Sequence, residues 1–110
     1  MQAVSTPSLG RITIANAAIE HIVRQTVPEC YGVVAMGGPK WLPERARKGI
    51  DVGRDGDEVT IELHVVVEYG LNLAEVASTI RNRVTYEVGR LTGLPIRAVE
   101  VHIDDVKRAK

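Results

Sequence analysis

From Val59 to Val67 every second residue is apolar: Val59, Ile61, Leu63, Val65 and Val67 alternate with Thr60, Glu62, His64 and Val66. A sustained period of two marks a strand with one face buried and the other largely polar. Beyond Glu68 the period changes. Leu73, Ala77, Ile80, Val84, Val88 and Leu91 fall on one stripe at helical spacing, with Val76 beside it. Asn72, with Glu75 three residues on, makes a capping-box variant at the helix start. Gly93 suits the left-handed position after the last turn, and Pro95 follows closely. A one-faced strand needs cover on one side only. The short Gly70-Leu71 link lets the helix fold straight back and provide it. This pair alone requires a layered fold in which helices lie on one face of a sheet.

The rest of the chain fits around that unit. Arg11-Ile12-Thr13-Ile14 alternates and predicts a short first strand. Ala15, Ala18, Ile19, Ile22 and Val23 recur at helical spacing, with Asn16 as cap and Pro28 as stop. Val33–Met36 reads as a short strand between Gly32 and Gly37-Gly38, and Pro39–Gly49 as irregular. Ile50 and Val52 lead through Asp55-Gly56, a strong turn signal, into the long strand, giving a hairpin. Val99, Val101 and Ile103 form a last strand. The predicted order is β-α-β-β-β-α-β. The fold class is α+β: a two-layer sandwich, its sheet mixed or antiparallel, with two helices on one face. Residues 1–9 read as a flexible lead-in, 10–106 as a single domain and 107–110 as a basic tail.

Composition narrows the function classes. At 110 residues one core is feasible without staples. With no Phe and 4% aromatic residues, that core is built from Val, Ile, Leu and Ala. Fourteen basic residues balance fourteen acidic ones, whereas a general nucleic-acid binder carries a basic excess, so no nucleic acid is expected. Cys30 is the only cysteine, which excludes an intrachain disulfide and a cysteine zinc cluster. The first ten residues do not read as a signal peptide, and no apolar run approaches a bilayer-spanning length. The expectation is a cytoplasmic protein whose membrane contact is only peripheral or through a partner.

No catalytic constellation stands out, and the chain reads as non-enzymatic. Ser and Thr residues lack a nucleophile-elbow pattern, and Cys30 reads as a buried thiol. Gly37-Gly38-Pro39-Lys40 lacks phosphate-loop spacing and reads as a strand end turning into a loop. His64 and His102 fall on polar strand faces near Glu62, Glu68, Glu100 and Asp104 in pattern. A His/carboxylate metal site is conceivable if those two strands are neighbours. Single histidines on separate strands lack the tight spacing of metal motifs, so neither a metal nor another cofactor is expected. His21 reads as exposed.

The segments "GRITIANAAIEHIV", "YGVVAMGG" and "VTIELHVVVEYGLNLAEVASTIRNRVTYEVGRLTGLPIRAVEVHIDDV" resemble the alkaline shock protein family, the envelope stress response proteins of Gram-positive and related bacteria. The likeness runs from Gly10 to Val106. It implies a non-enzymatic cytoplasmic protein, clustered in some members at the inner membrane face by a small anchor protein. In other members it implies a link to fatty-acid synthesis. It carries over no catalytic residues. Self-association is expected.

Within this frame the best interaction candidate is Lys40, Trp41, Arg45, Arg47 and Lys48. Four basic residues against Glu44 surround the only tryptophan, whereas residues 51–68 carry six acidic residues and one Arg. Trp and Arg are favoured at binding hot spots. The competing reading packs Trp41 over an edge of the core. At the level of function, a scaffold or interaction protein with an envelope-side partner competes with a small-ligand module for an acyl or anionic metabolite. An apolar cavity between helices and sheet favours the ligand module.

Overall fold

A computed structural model describes residues 12–38 and 41–108, apart from the side chains of Arg45 and Ala46. The lead-in at 1–9, Lys40 and the end of the expected tail lie outside the described residues. The elements are α1 (Asn16–Thr26), a 3-10 turn (Val27–Glu29), β1 (Val33–Met36), α2 (Glu44–Lys48), β2 (Ile50–Asp55), β3 (Glu58–Glu68), α3 (Leu73–Thr92) and β4 (Ile96–Lys107). They form the expected two-layer α+β sandwich.

The strand β3 organises the sheet. β4 pairs with it in parallel from Val59↔Ile96 to Glu68↔Lys107. The opposite edge is shared end to end: β2 pairs antiparallel with residues 58–63 and β1 with residues 65–67. The sheet is therefore mixed. Parallel pairing follows from the connection, since α3 carries the chain back to the start of β3 before β4 begins.

Period two is realised in full. Val59, Ile61, Leu63, Val65 and Val67 are each at most 1% exposed. Against them pack Ile19, Val23 and Val27 from the α1 side and Val76, Ile80, Val84 and Val88 from α3. Each such side chain contributes about 1.5–3 kcal/mol of burial. The stripe on α3 is narrower and slightly rotated from the one expected. Val76 joins the core, while Leu73 and Leu91 are half exposed. The caps are as expected: Asn72 accepts from the Glu75 amide at 3.0 Å, and Gly93 is left-handed at φ 76°.

Three local readings are corrected. Residues 12–15 form no strand, because the chain enters the helical layer directly at Asn16, and the Ile14 carbonyl accepts instead from the Arg54 guanidinium at 2.9 Å. Asn16 does not cap α1. The N-cap is Ala15, and the Asn16 amide bonds Val52 and Arg54 on β2, tying helix to sheet. The Pro39–Gly49 segment contains a helical turn, α2, in which the Arg47 amide donates to the Pro43 carbonyl at 2.9 Å. β4 also runs through Lys107, the first residue of the expected tail.

Candidate functional site: the open sheet face and its loop

The sheet face away from the helices carries the even positions of β3. In register, Glu62 lies beside Glu100 and His64 beside His102. The two imidazoles stack, with centroids 4.6 Å apart and planes 10° from parallel. Asp104, two residues along β4, places Oδ2 2.8 Å from His64 Nδ1. Glu62 reaches both rings: its Oε2 is 3.5 Å from His64 Nε2 and 3.0 Å from His102 Nε2. Although close, the second contact is misaligned for a hydrogen bond, so the buried His102 Nε2 has no hydrogen-bond partner. Glu100 Oε1 lies 3.8 Å from the same nitrogen. The cluster is half-buried; the His64 side chain is 13% exposed and that of Glu62 28%.

The condition set by the sequence, that the two histidine strands be neighbours, is thus met. One signal in the sequence foreshadowed it: Glu62-Leu63-His64 and Glu100-Val101-His102 repeat the same Glu-x-His pattern. Two strands joined by one helix pair in parallel, which sets such repeats side by side.

Beside this cluster begins the loop that bears the predicted interaction residues. It is strapped to His64 at both ends. The Gly37 amide donates to the His64 carbonyl at 2.7 Å, and the His64 amide donates to the Gly49 carbonyl at 2.9 Å. Gly37 and Gly49 meet back to back, both at positive φ, 95° and 90°. A Cβ on Gly49 would lie 2.6 Å from the Gly37 nitrogen, so only glycine permits the closure. Asp104 reaches the loop as well, its Oδ2 lying 3.6 Å from where a Gly38 Cβ would sit.

Of the predicted patch, Trp41, Arg47 and Lys48 have described side chains. Trp41 is 80% exposed and does not pack over an edge of the core. Arg47 is exposed and donates to the Leu42 carbonyl at 3.4 Å, within its own loop. Lys48 turns toward α1, where Nζ lies 3.8 Å from Glu20, and its carbonyl accepts from Arg24 at 3.2 Å. Lys40 lies outside the described residues. His21 is exposed, as expected. Cys30 is 5% exposed and donates to the Thr26 carbonyl at 3.6 Å; burial raises its thiol pKa, which keeps it protonated.

Two shallow clefts of about 120 and 270 Å³ lie at the surface rather than between the layers. The smaller is lined by Tyr31, Leu71 and Glu75. The larger adjoins the histidine cluster and is acidic, lined by Asp51, Glu62 and Glu100. No described helix is long and apolar enough to cross a membrane.

Known proteins give this fold a context. Solved structures of the MamM CTD share it, one of them a manganese form with a TM-score of 0.54 and 13% identity, covering 83% of this chain and 99% of that one. At that identity the likeness is one of fold. The uncharacterized protein YloU of Bacillus subtilis (strain 168) is 26% identical over 107 residues, 89% of each chain. A stress response regulator gls24 homolog of Streptococcus pyogenes is 26% identical over 106 residues, 89% of this chain and 59% of that protein. The family model of alkaline shock protein 23, described by a cell envelope-related function, matches residues 5–108. With nearly its whole length matched, the chain belongs to that envelope-related family.

Proposed function

We propose that this protein is a non-enzymatic interaction module of the cell envelope response, held by protein contacts on the cytoplasmic side of the membrane. One observation carries the reading. The loop's only tryptophan stands in solvent on a segment closed by two glycines that tolerate no side chain. An exposed indole on a pinned loop, next to arginines, is the composition of a binding hot spot. Basic residues contribute only about 1 kcal/mol each at an anionic membrane, so a few of them bind lipid weakly. An envelope-side protein partner, reinforced by self-association, supplies the missing affinity. A role beside lipid synthesis is compatible with this reading. The small-ligand alternative draws less support, because Val, Ile and Leu side chains fill the space between the layers.

The test is co-sedimentation with the membrane fraction of the native cell, beside a circular dichroism melt. Arg45→Glu with Arg47→Glu is expected to release the protein while leaving the melt unchanged. Unchanged co-sedimentation would mean that the loop is merely solvated surface.

A further inference from the structure

We propose that Glu62, His64 and His102 form a binding site for one divalent transition metal ion of the zinc and cobalt class, with Asp104 as its positioning residue. These three side chains offer ligand atoms that all lie within 4.8 Å of one another. Two imidazoles and a carboxylate are a donor set for zinc-like ions rather than for calcium or magnesium, which prefer oxygen alone.

The protonation logic of the cluster points the same way. His64 Nδ1 lies 2.8 Å from Asp104 Oδ2; with the ring proton placed in that bond, Nε2 is the atom left to ligate, and it faces Glu62 Oε2 at 3.5 Å. A carboxylate behind a ligating histidine is the usual device that fixes its tautomer. His102 Nε2 comes within 3.0 Å of the same Glu62 oxygen yet makes no hydrogen bond. Glu62 Oε2 thus faces both Nε2 atoms. A buried polar atom left unpaired needs an explanation, and a cation supplies one.

The surroundings favour the ion. The adjoining cleft is lined by Asp51, Glu62 and Glu100, which attract cations. Glu100 adds a second carboxylate on the same side, its Oε1 3.8 Å from His102 Nε2. Because His64 also holds both ends of the loop, metal at this position braces the loop's root. Metal binding in vitro does not require that the loop have a partner, so the two readings can fail separately.

The experiment is a titration of tag-free full-length protein with Co²⁺, followed by visible absorption, then displacement with Zn²⁺. Wild type is expected to saturate near one ion per chain. His64→Ala and His102→Gln should each weaken binding at least ~100-fold, and Asp104→Asn by about 10–100-fold, the range seen for outer-shell partners. His21→Ala should change nothing. His102 is 43% exposed, so its variant should keep the fold even if His64→Ala does not. Absence of saturable binding by wild type below millimolar Co²⁺, or binding retained by folded His102→Gln, overturns the proposal.

Discussion

Gly49 carries a larger structural duty than its size suggests. It closes the loop against Gly37 and presents its carbonyl to His64, so it serves both candidate surfaces at once. Gly93 also has a positive φ, but nothing lies within 4 Å of the position of its Cβ. Alanine at Gly93 should therefore cost about 1–2 kcal/mol, the left-handed backbone strain alone. Alanine at Gly49 adds a clash with backbone and should exceed that by at least about 1 kcal/mol, since cores and tight turns do not relax freely. Equal melting temperatures for the two variants would contradict the close approach. At this scale the sequence was a partial guide. Cys30 and His21 stand where their types and neighbours indicated, whereas the ties of Asn16 and Lys48 were not legible. Those side chains found partners on elements distant in the chain, and local pattern carries no such information.

Among the elements, α3 is the clearest case of sequence dictating packing. Its cap and its left-handed end were both readable, because each depends on residues within a few positions. The salt bridges were not. Although Arg83 and Glu87 stand at i,i+4 spacing, Glu87 bonds Arg90 at 2.7 Å, and Arg83 reaches Glu29 on the 3-10 turn at 3.3 Å. Either of the buried positions Ile80 and Val84 is expected to unfold the domain when changed to Asp, with a loss of about 4 kcal/mol or more, since the charge has no partner there. Arg83→Ala breaks a half-exposed pair and should cost under ~1 kcal/mol. Chemical denaturation of the three variants distinguishes the faces, and similar midpoints for Ile80→Asp and Arg83→Ala would show the wrong face buried. The missing first strand has the same origin as the missed salt bridge. Alternation at 11–14 was a local signal, and tertiary position overrode it.

For the whole molecule, the outer edge of β4 is its largest unpaired feature among the described residues. The 12 residues of this strand bond β3 on one side only, and edges of that kind are templates for a second chain. The open face is charged, which disfavours a dry face-to-face contact. Self-association through an edge or the loop is the expected outcome, and light scattering from micromolar to millimolar concentration should report at least a dimer. A monomer mass throughout would remove avidity from the account. Fold class was legible in the sequence because two periods, one of two and one of 3.6, fixed the layers. The histidine cluster was legible only as a conditional, since its geometry depends on strand pairing across a 20-residue helix.

The central claim, an interaction module acting through a pinned loop, is tested most directly by the membrane-pelleting fraction of Trp41→Ala compared with wild type. This change leaves every charge in place and removes a side chain that is 80% exposed. If Trp41 is a hot spot worth at least about 2 kcal/mol, the pelleting affinity falls roughly thirtyfold while the melt stays where it was. Pelleting equal to wild type, from a protein with an unchanged melt, would contradict the account.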